Sequence, residues 1–139
     1  MKPKLLLATS NPAKAREYRL LLEGMPLELT DLSQEGIESR VNETGDTLEE
    51  NAKLKAAGYA VGKGFLVLAD DSGLEVDALG GEPGPLSARY AGEHASDTER
   101  ITLLLSRLIK IPWQERSARF RAIIAIAHGS EIIKVCEGV

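Results

Sequence analysis

The stretch Leu66 to Gly81 reads Leu-Val-Leu-Ala-Asp-Asp-Ser-Gly-Leu-Glu-Val-Asp-Ala-Leu-Gly-Gly, and no other part of the chain restricts the fold as much. Its apolar opening, Leu66 to Ala69, has the length and flanks of a buried strand. That strand is expected to stop at two adjacent carboxylates, Asp70 and Asp71, with Ser72 and Gly73 forming a small turn that lets a ligand approach the backbone. Two carboxylates in such a place repel each other and lose water, so a positive group must compensate them, either a bound cation or a lysine. Successive strand residues point to opposite faces, so the two aspartates are expected to do different jobs. Ligands of open α/β sheets sit beyond the carboxyl ends of strands, which is where this pair falls. A solvated Asp-Ser-Gly turn is the plain alternative.

Composition narrows the class. The 139 residues suffice for one domain with a real core, and an apolar share of 43% with 27% charged is that of an ordinary globular protein. Seventeen Lys and Arg against 21 Asp and Glu give a formal net charge of −4, which argues against a protein that coats nucleic acid or membranes but allows a local basic pocket. The single cysteine, Cys136, excludes an internal disulfide and fits a reducing compartment. With no His or Asp beside it, it is not expected to be a catalytic thiol. The apolar start is too short for a signal peptide and no run reaches transmembrane length, so the expected location is the cytoplasm.

Leu5 to Ala8 is a short apolar run, expected as a first strand, and Thr9-Ser10-Asn11-Pro12-Ala13-Lys14 follows as a loop of small and hydroxyl residues with one lysine. A helix is expected from Ala15 to about Glu23, closed by Gly24. Such a loop before a helix offers free N–H groups and a positive dipole end to a phosphate, although an ordinary capped turn has the same composition. Leu27 to Leu32 is a possible second strand. Thr47-Leu48-Glu49-Glu50 is a capping box for a helix reaching about Val61, with Leu48, Ala52, Ala56 and Tyr59 as its apolar stripe. Asn51 and Lys55 fall in that stripe, where a polar side chain needs a partner. For Lys55 the candidates are the Asp70/Asp71 cluster or a phosphate, or its stem alone is buried.

Leu74, Val76 and Ala78 alternate with Glu75 and Asp77 as a separate half-exposed strand would. Gly80 to Pro85 is a rigid loop, and Ser96 to Glu99 is a second capping box, heading a helix whose Ile101, Leu104, Leu105 and Leu108 read as core. Ala118 to Ala127 reads as a long strand that turns at His128-Gly129-Ser130 into a final hairpin strand, Glu131 to Val139. The last strand has no cap or trailing helix, so the chain reads as a single domain, residues 1–139, cut short at its C-terminus.

Four motifs, in order and with matching spacing, resemble the inosine/xanthosine triphosphate pyrophosphatase family. They are Thr9-Ser10-Asn11-Pro12-Ala13-Lys14 with Glu17 after it; Glu43-Thr44-Gly45-x-Thr47-x-x-x-Asn51-Ala52-x-x-Lys55-Ala56; Ala69-Asp70-Asp71-Ser72-Gly73-Leu74 continuing to Gly84; and Ser87-Ala88-Arg89-Tyr90-x-Gly92. The resemblance implies an α/β fold, a mixed twisted sheet with flanking helices in two lobes around a nucleotide cleft. It implies Mg²⁺-dependent hydrolysis of ITP, dITP or XTP to the monophosphate and pyrophosphate by a homodimer, with no nucleic-acid or membrane partner. Carried onto this chain, Asp71 is the general base and a metal-side carboxylate, and Lys55 and Asp70 complete the charged cluster. Ser72 contacts substrate, and Thr9, Ser10, Asn11, Pro12, Ala13 and Lys14 hold the triphosphate. The position before Glu43 is Asn42 rather than an acid, so the second metal-side role falls to Glu43.

The family continues beyond the length of this chain with motifs resembling Phe-Gly-Tyr-Asp and Ser-His-Arg that grip the purine, and neither occurs here. Two other readings follow: a sister pyrophosphatase acting on modified pyrimidine nucleotides, and a nucleotide- or phosphate-binding fragment impaired in catalysis.

Overall fold

The computed structural model describes all 139 residues. Its elements are β1 (Lys4–Leu7), α1 (Pro12–Leu21), β2 (Glu28–Asp31), α2 (Leu48–Ala60), β3 (Leu66–Val76), α3 (Asp97–Arg107), β4 (Ala118–His128) and β5 (Glu131–Gly138). The strands form one sheet in the order β2-β1-β3-β4-β5. β1 lies parallel to both β2 and β3, with Leu5 opposite Leu29 on one side and Leu66 on the other. β4 and β5 are joined by the Gly129–Ser130 turn, where Gly129 has φ +63°, so this pair is antiparallel and the sheet is mixed. The chain forms two compact units, residues 1–71 with 123–136, and residues 72–122 with 137–139.

In the first unit, the crossover β1–α1–β2 moves one way along the sheet and β2–α2–β3 moves back across β1, and their helices cover opposite faces. Leu5, Leu7 and Leu68 pack with Tyr18 of α1 and with Leu22 just past its end. Leu6, Ala8, Val67 and Ala69 pack with Leu48, Ala52, Ala56 and Tyr59 of α2. The alternation of β1 and β3 residues between the two layers follows from the two-residue strand period. Alanines on α2 let the helix lie close to the sheet, and Thr47 caps it by accepting from Glu50 N–H at 3.1 Å. The expected reciprocal bond is displaced by one residue: Glu50 Oε2 accepts from Asp46 N–H at 2.7 Å.

Three expectations need correction here. α1 begins at Pro12 rather than Ala15, because Asn11 caps it with bonds from Ala13 N–H at 2.9 Å and Lys14 N–H at 3.3 Å. Proline at the first helical position lacks only an N–H that would have no helical partner. Second, β3 does not stop at Asp70; it runs through Asp70, Asp71, Ser72 and Gly73 to Val76 as one strand, and Ala78 lies beyond it in a short 3₁₀ turn, Asp77–Leu79. Gly73 allows this because backbone crowds it: a Cβ there would lie 2.1 Å from the Gly84 carbonyl oxygen. Ser87 locks the approach by donating to Gly84 O at 2.6 Å and accepting from Leu74 N–H at 2.9 Å.

Third, α3 is core only in part: of the four residues expected there Leu108, at its C-cap, is buried and Leu104 half-buried, but Ile101 and Leu105 are more than half exposed. An amphipathic helix supplies an apolar face but no partner for it, and in the second unit Val76 and Leu108 are the buried large apolar side chains. That unit is laced instead by ion pairs. Arg119 reaches Asp77 at 2.9 Å, Arg121 reaches Glu75 at 3.0 Å and also pairs with Glu137. The Ser117 hydroxyl and then Arg119 hold the Asp77 carboxyl below the usual carboxylate range.

Leu6 is fully buried between the parallel strands, so Leu6→Ala is expected to lower stability by about 3 kcal/mol in urea unfolding. Gly73→Ala is expected to cost a similar amount, about 3 kcal/mol, because backbone rather than a flexible side chain occupies the space. A loss below about 1 kcal/mol for Gly73→Ala would contradict the close approach to Gly84.

Candidate active site

β1 and β3 are parallel neighbours, the chain order reverses direction along the sheet between them, and α1 and α2 cover opposite faces, which makes the carboxyl ends of this pair a topological switch point. Ala8 N–H still donates to Leu68 O at 2.8 Å, so the Thr9–Ser10–Asn11 turn leaves β1 beside Ala69 and Asp70 of β3. Thr9 Oγ1 accepts from Asn11 N–H at 3.2 Å, and Asn11 in turn caps α1. The free N–H groups expected for an anion are therefore partly committed, since the Asn11 side chain already takes those of Ala13 and Lys14. Thr9 and Ser10 line a cavity of about 420 Å³ with Pro12, Asp31, Arg40 and Tyr59, all within the first unit. Arg19 at 3.0 Å and Gln34 N–H at 2.8 Å hold Asp31, whose carboxyl is kept below the usual range by the Gln34 N–H first and by Arg19 after it.

The strand period separates the two aspartates. Leu66 and Leu68 face α1, and Asp70 continues that row; Val67 and Ala69 face α2, and Asp71 continues the other. Both carboxylates are buried. On the α1 side Lys14 Nζ meets Asp70 Oδ2 at 3.0 Å, supplying the lysine that the sequence demanded for this pair. Lys14 sits in the first turn of α1, and Tyr18 lies one turn further on the same face. Burial raises the Tyr18 phenol above its usual range, and the neighbouring Asp70 carboxylate, which accepts its hydrogen bond, raises it further. Tyr18 was not among the residues expected at the site, although its i+4 spacing from Lys14 is visible in the sequence.

On the α2 side the partners differ from expectation. Lys55 meets Glu43 Oε1 at 2.7 Å, so it pairs with the preceding loop rather than with Asp70. Glu43 lies in an irregular segment between β2 and α2, whose path no periodicity reveals. The sequence-selected residues of the first unit thus form two charged pairs, Lys14–Asp70 between α1 and β3 and Lys55–Glu43 between α2 and the loop before it. Ser72 belongs to the second unit and is half-buried on β3. No group of three or more His, Cys, Asp and Glu side chains is placed to hold a metal by itself. No helix is long and apolar enough to cross a membrane.

Parallel crossovers on both faces and polar groups gathered at the β1/β3 switch point define an α/β protein of the doubly wound kind in its first unit. The chain belongs to the Ham1 family, whose model matches residues 5–139. It is 43% identical over 133 residues to the dITP/XTP pyrophosphatase of Bacillus subtilis, covering 96% of this chain and 67% of the relative. It is 48% identical over 123 residues to the dITP/XTP pyrophosphatase of Geobacter sulfurreducens, covering 88% of this chain and 62% of the relative. Among solved structures, a HAM1 protein from Coxiella burnetii superposes with a TM-score of 0.89 at 35% identity, over 99% of this chain and 70% of that one. The chain therefore spans about two thirds of the length of the proteins it resembles.

The Tyr18 environment makes a prediction about alkaline stability. A phenol raised in the folded state ionises first in the unfolded chain, near pH ~10. Its stabilising effect is complete below that pH and is lost as the pH rises through the folded value. Urea unfolding of the parent is expected to weaken above about pH 10 more steeply than that of Tyr18→Phe, and parallel curves would refute the coupling to burial and Asp70.

Proposed function

We propose that this chain hydrolyses the non-standard purine nucleoside triphosphates dITP, ITP and XTP, releasing the nucleoside monophosphate and pyrophosphate. The observation that carries the reading is the buried carboxylate pair on β3, with Lys14 of α1 paired to Asp70, in a chain 43% identical to a dITP/XTP pyrophosphatase. In this reading the enzyme is cytoplasmic and works as a homodimer, as the family resemblance implies.

Asp71 takes the proton of the attacking water on a carboxylate oxygen. The water oxygen then bonds to the α-phosphorus, the bond from that phosphorus to the α–β bridging oxygen breaks, and pyrophosphate leaves with the electron pair. Lys14 and the Thr9–Asn11 turn hold the triphosphate at the start of α1, where the helix dipole favours negative charge. Lys55 holds phosphate oxygens on the opposite face, and Asp70 keeps Lys14 oriented. Ser72 contacts the substrate beside Asp71.

In this reading Glu43 and Asp71 would hold Mg²⁺, an ion that binds through one or two carboxylates with phosphate oxygens and water completing the shell. When bound, the ion would neutralise phosphate charge and make the attacking water more acidic.

The test is pyrophosphate release from ITP, XTP, ATP and GTP with Mg²⁺ and with EDTA. Release that needs the metal and favours ITP or XTP is expected; metal-independent release, or none from a folded protein, would overturn the reading. Asp71→Asn is expected to lower kcat by at least about a thousandfold while triphosphate still binds. Lys14→Ala is expected to raise KM about tenfold or more with a smaller change in kcat.

A further inference from the structure

The loop that carries Glu43 is tied to α2 at three points. Gly45 N–H donates to Asn51 Oδ1 at 2.8 Å, Asp46 N–H donates to Glu50 Oε2 at 2.7 Å, and Glu43 pairs with Lys55 at 2.7 Å. Water competes for the second and third, because the Asp46–Glu50 bond is exposed and Glu43 keeps about a third of its side-chain surface. The first is part-buried, and its acceptor is the most sheltered of the three. Asn51 is 1% exposed, and a Cβ on Gly45 would lie 2.6 Å from Glu50 Cβ and 2.9 Å from Asn51 Oδ1. The loop therefore lies flush on the helix at this point.

Asn51 is also an expensive choice for its position. Its Nδ2 is buried with no hydrogen-bond partner, whereas the other buried α2 side chains, Leu48, Ala52, Ala56, Tyr59 and Ala60, belong to the apolar core. An alanine or leucine would fill the stripe without stranding a donor. What they would lose is the acceptor on Gly45 N–H, two residues from Glu43. Lys55 follows Asn51 by one helical turn, so one stretch of α2 fixes the loop backbone through Asn51 and the Glu43 side chain through Lys55. If substrate phosphates draw Lys55 away, the part-buried Asn51 bond is the most sheltered fixing point that remains.

We propose that Asn51 is a positioning residue for Glu43: its Oδ1 sets the Glu43–Gly45 turn, and through it the carboxylate that would hold a divalent cation. It touches neither substrate nor metal. The inference rests on the pyrophosphatase reading, in which Glu43 is a metal-side carboxylate. Groups that orient a metal ligand from behind are worth about 10- to 100-fold in metal affinity or activity when removed.

The experiment compares the parent chain with Asn51→Ala and with Asn51→Asp, which keeps the Oδ1 acceptor. Three quantities are read below the unfolding transition: hydrogen exchange of the Gly45 amide, Mn²⁺ affinity without nucleotide by electron paramagnetic resonance, and the kcat and KM for ITP. Asn51→Ala is expected to speed Gly45 exchange, weaken Mn²⁺ binding about tenfold or more, and lower kcat by a similar factor with KM little changed. Asn51→Asp is expected to restore Gly45 protection and most of the Mn²⁺ affinity. If the parent is active and Asn51→Ala lowers only the melting temperature, Asn51 is structural and the inference is overturned. If Asn51→Asp is as impaired as Asn51→Ala, the Oδ1 acceptor is not what matters, and the inference also fails. A folded parent that neither binds Mn²⁺ nor turns over ITP would overturn the proposed function first, and the positioning role with it.

Discussion

A strand that carries two adjacent carboxylates through the middle of a sheet is under electrostatic strain unless charge of the opposite sign reaches it. Here the helix that leaves β1 supplies part of that charge. Lys14, in the first turn of α1, meets Asp70 at 3.0 Å across 56 positions of sequence. The ion pair depends on the parallel pairing of β1 with β3, because that register sets the start of α1 beside the Asp70 row. Asn11 contributes by starting the helix early, which brings Lys14 onto its first turn instead of leaving it in a loop. The cap, the register and the ion pair are one device: without any of them, a buried carboxylate would stand uncompensated.

The same strand separates its two aspartates by parity. Asp70 falls on the α1 face with Lys14 and Tyr18, and Asp71 on the α2 face, where Lys55 and Glu43 pair. A two-residue period thus gives neighbouring carboxylates different surroundings with no difference in residue type. In a hydrolase this is a simple way to obtain one carboxylate that orients a lysine and another that accepts a proton.

The α2 face also shows how an irregular loop is held in place. Residues 38–46 have no strand or helix of their own, yet Glu43, Gly45 and Asp46 are fastened to successive turns of α2. Exposed bonds of that kind are each worth little. The bond from the Gly45 amide ends on the fully buried Asn51 side chain, an acceptor that water reaches less easily.

Local chemistry in the sequence determined much of this protein. Apolar runs located the strands, capping residues started α2 and α3, and the lysine demanded by Asp70 and Asp71 was there to be found. These features are written in neighbouring residues, whose effects act over one or two turns. Tertiary structure decided the rest. It extended β3 through Gly73, because the Gly84 backbone approaches from eleven positions away and leaves no room for a side chain. It chose Lys14 over Lys55 as the partner of Asp70, since strand register and not lysine spacing sets which helix turn reaches a given row. It also left Ile101 and Leu105 of α3 largely exposed while burying Leu108 at its end, although the whole face reads as core: an amphipathic sequence specifies that a face is apolar, and only the surrounding fold supplies something to cover it.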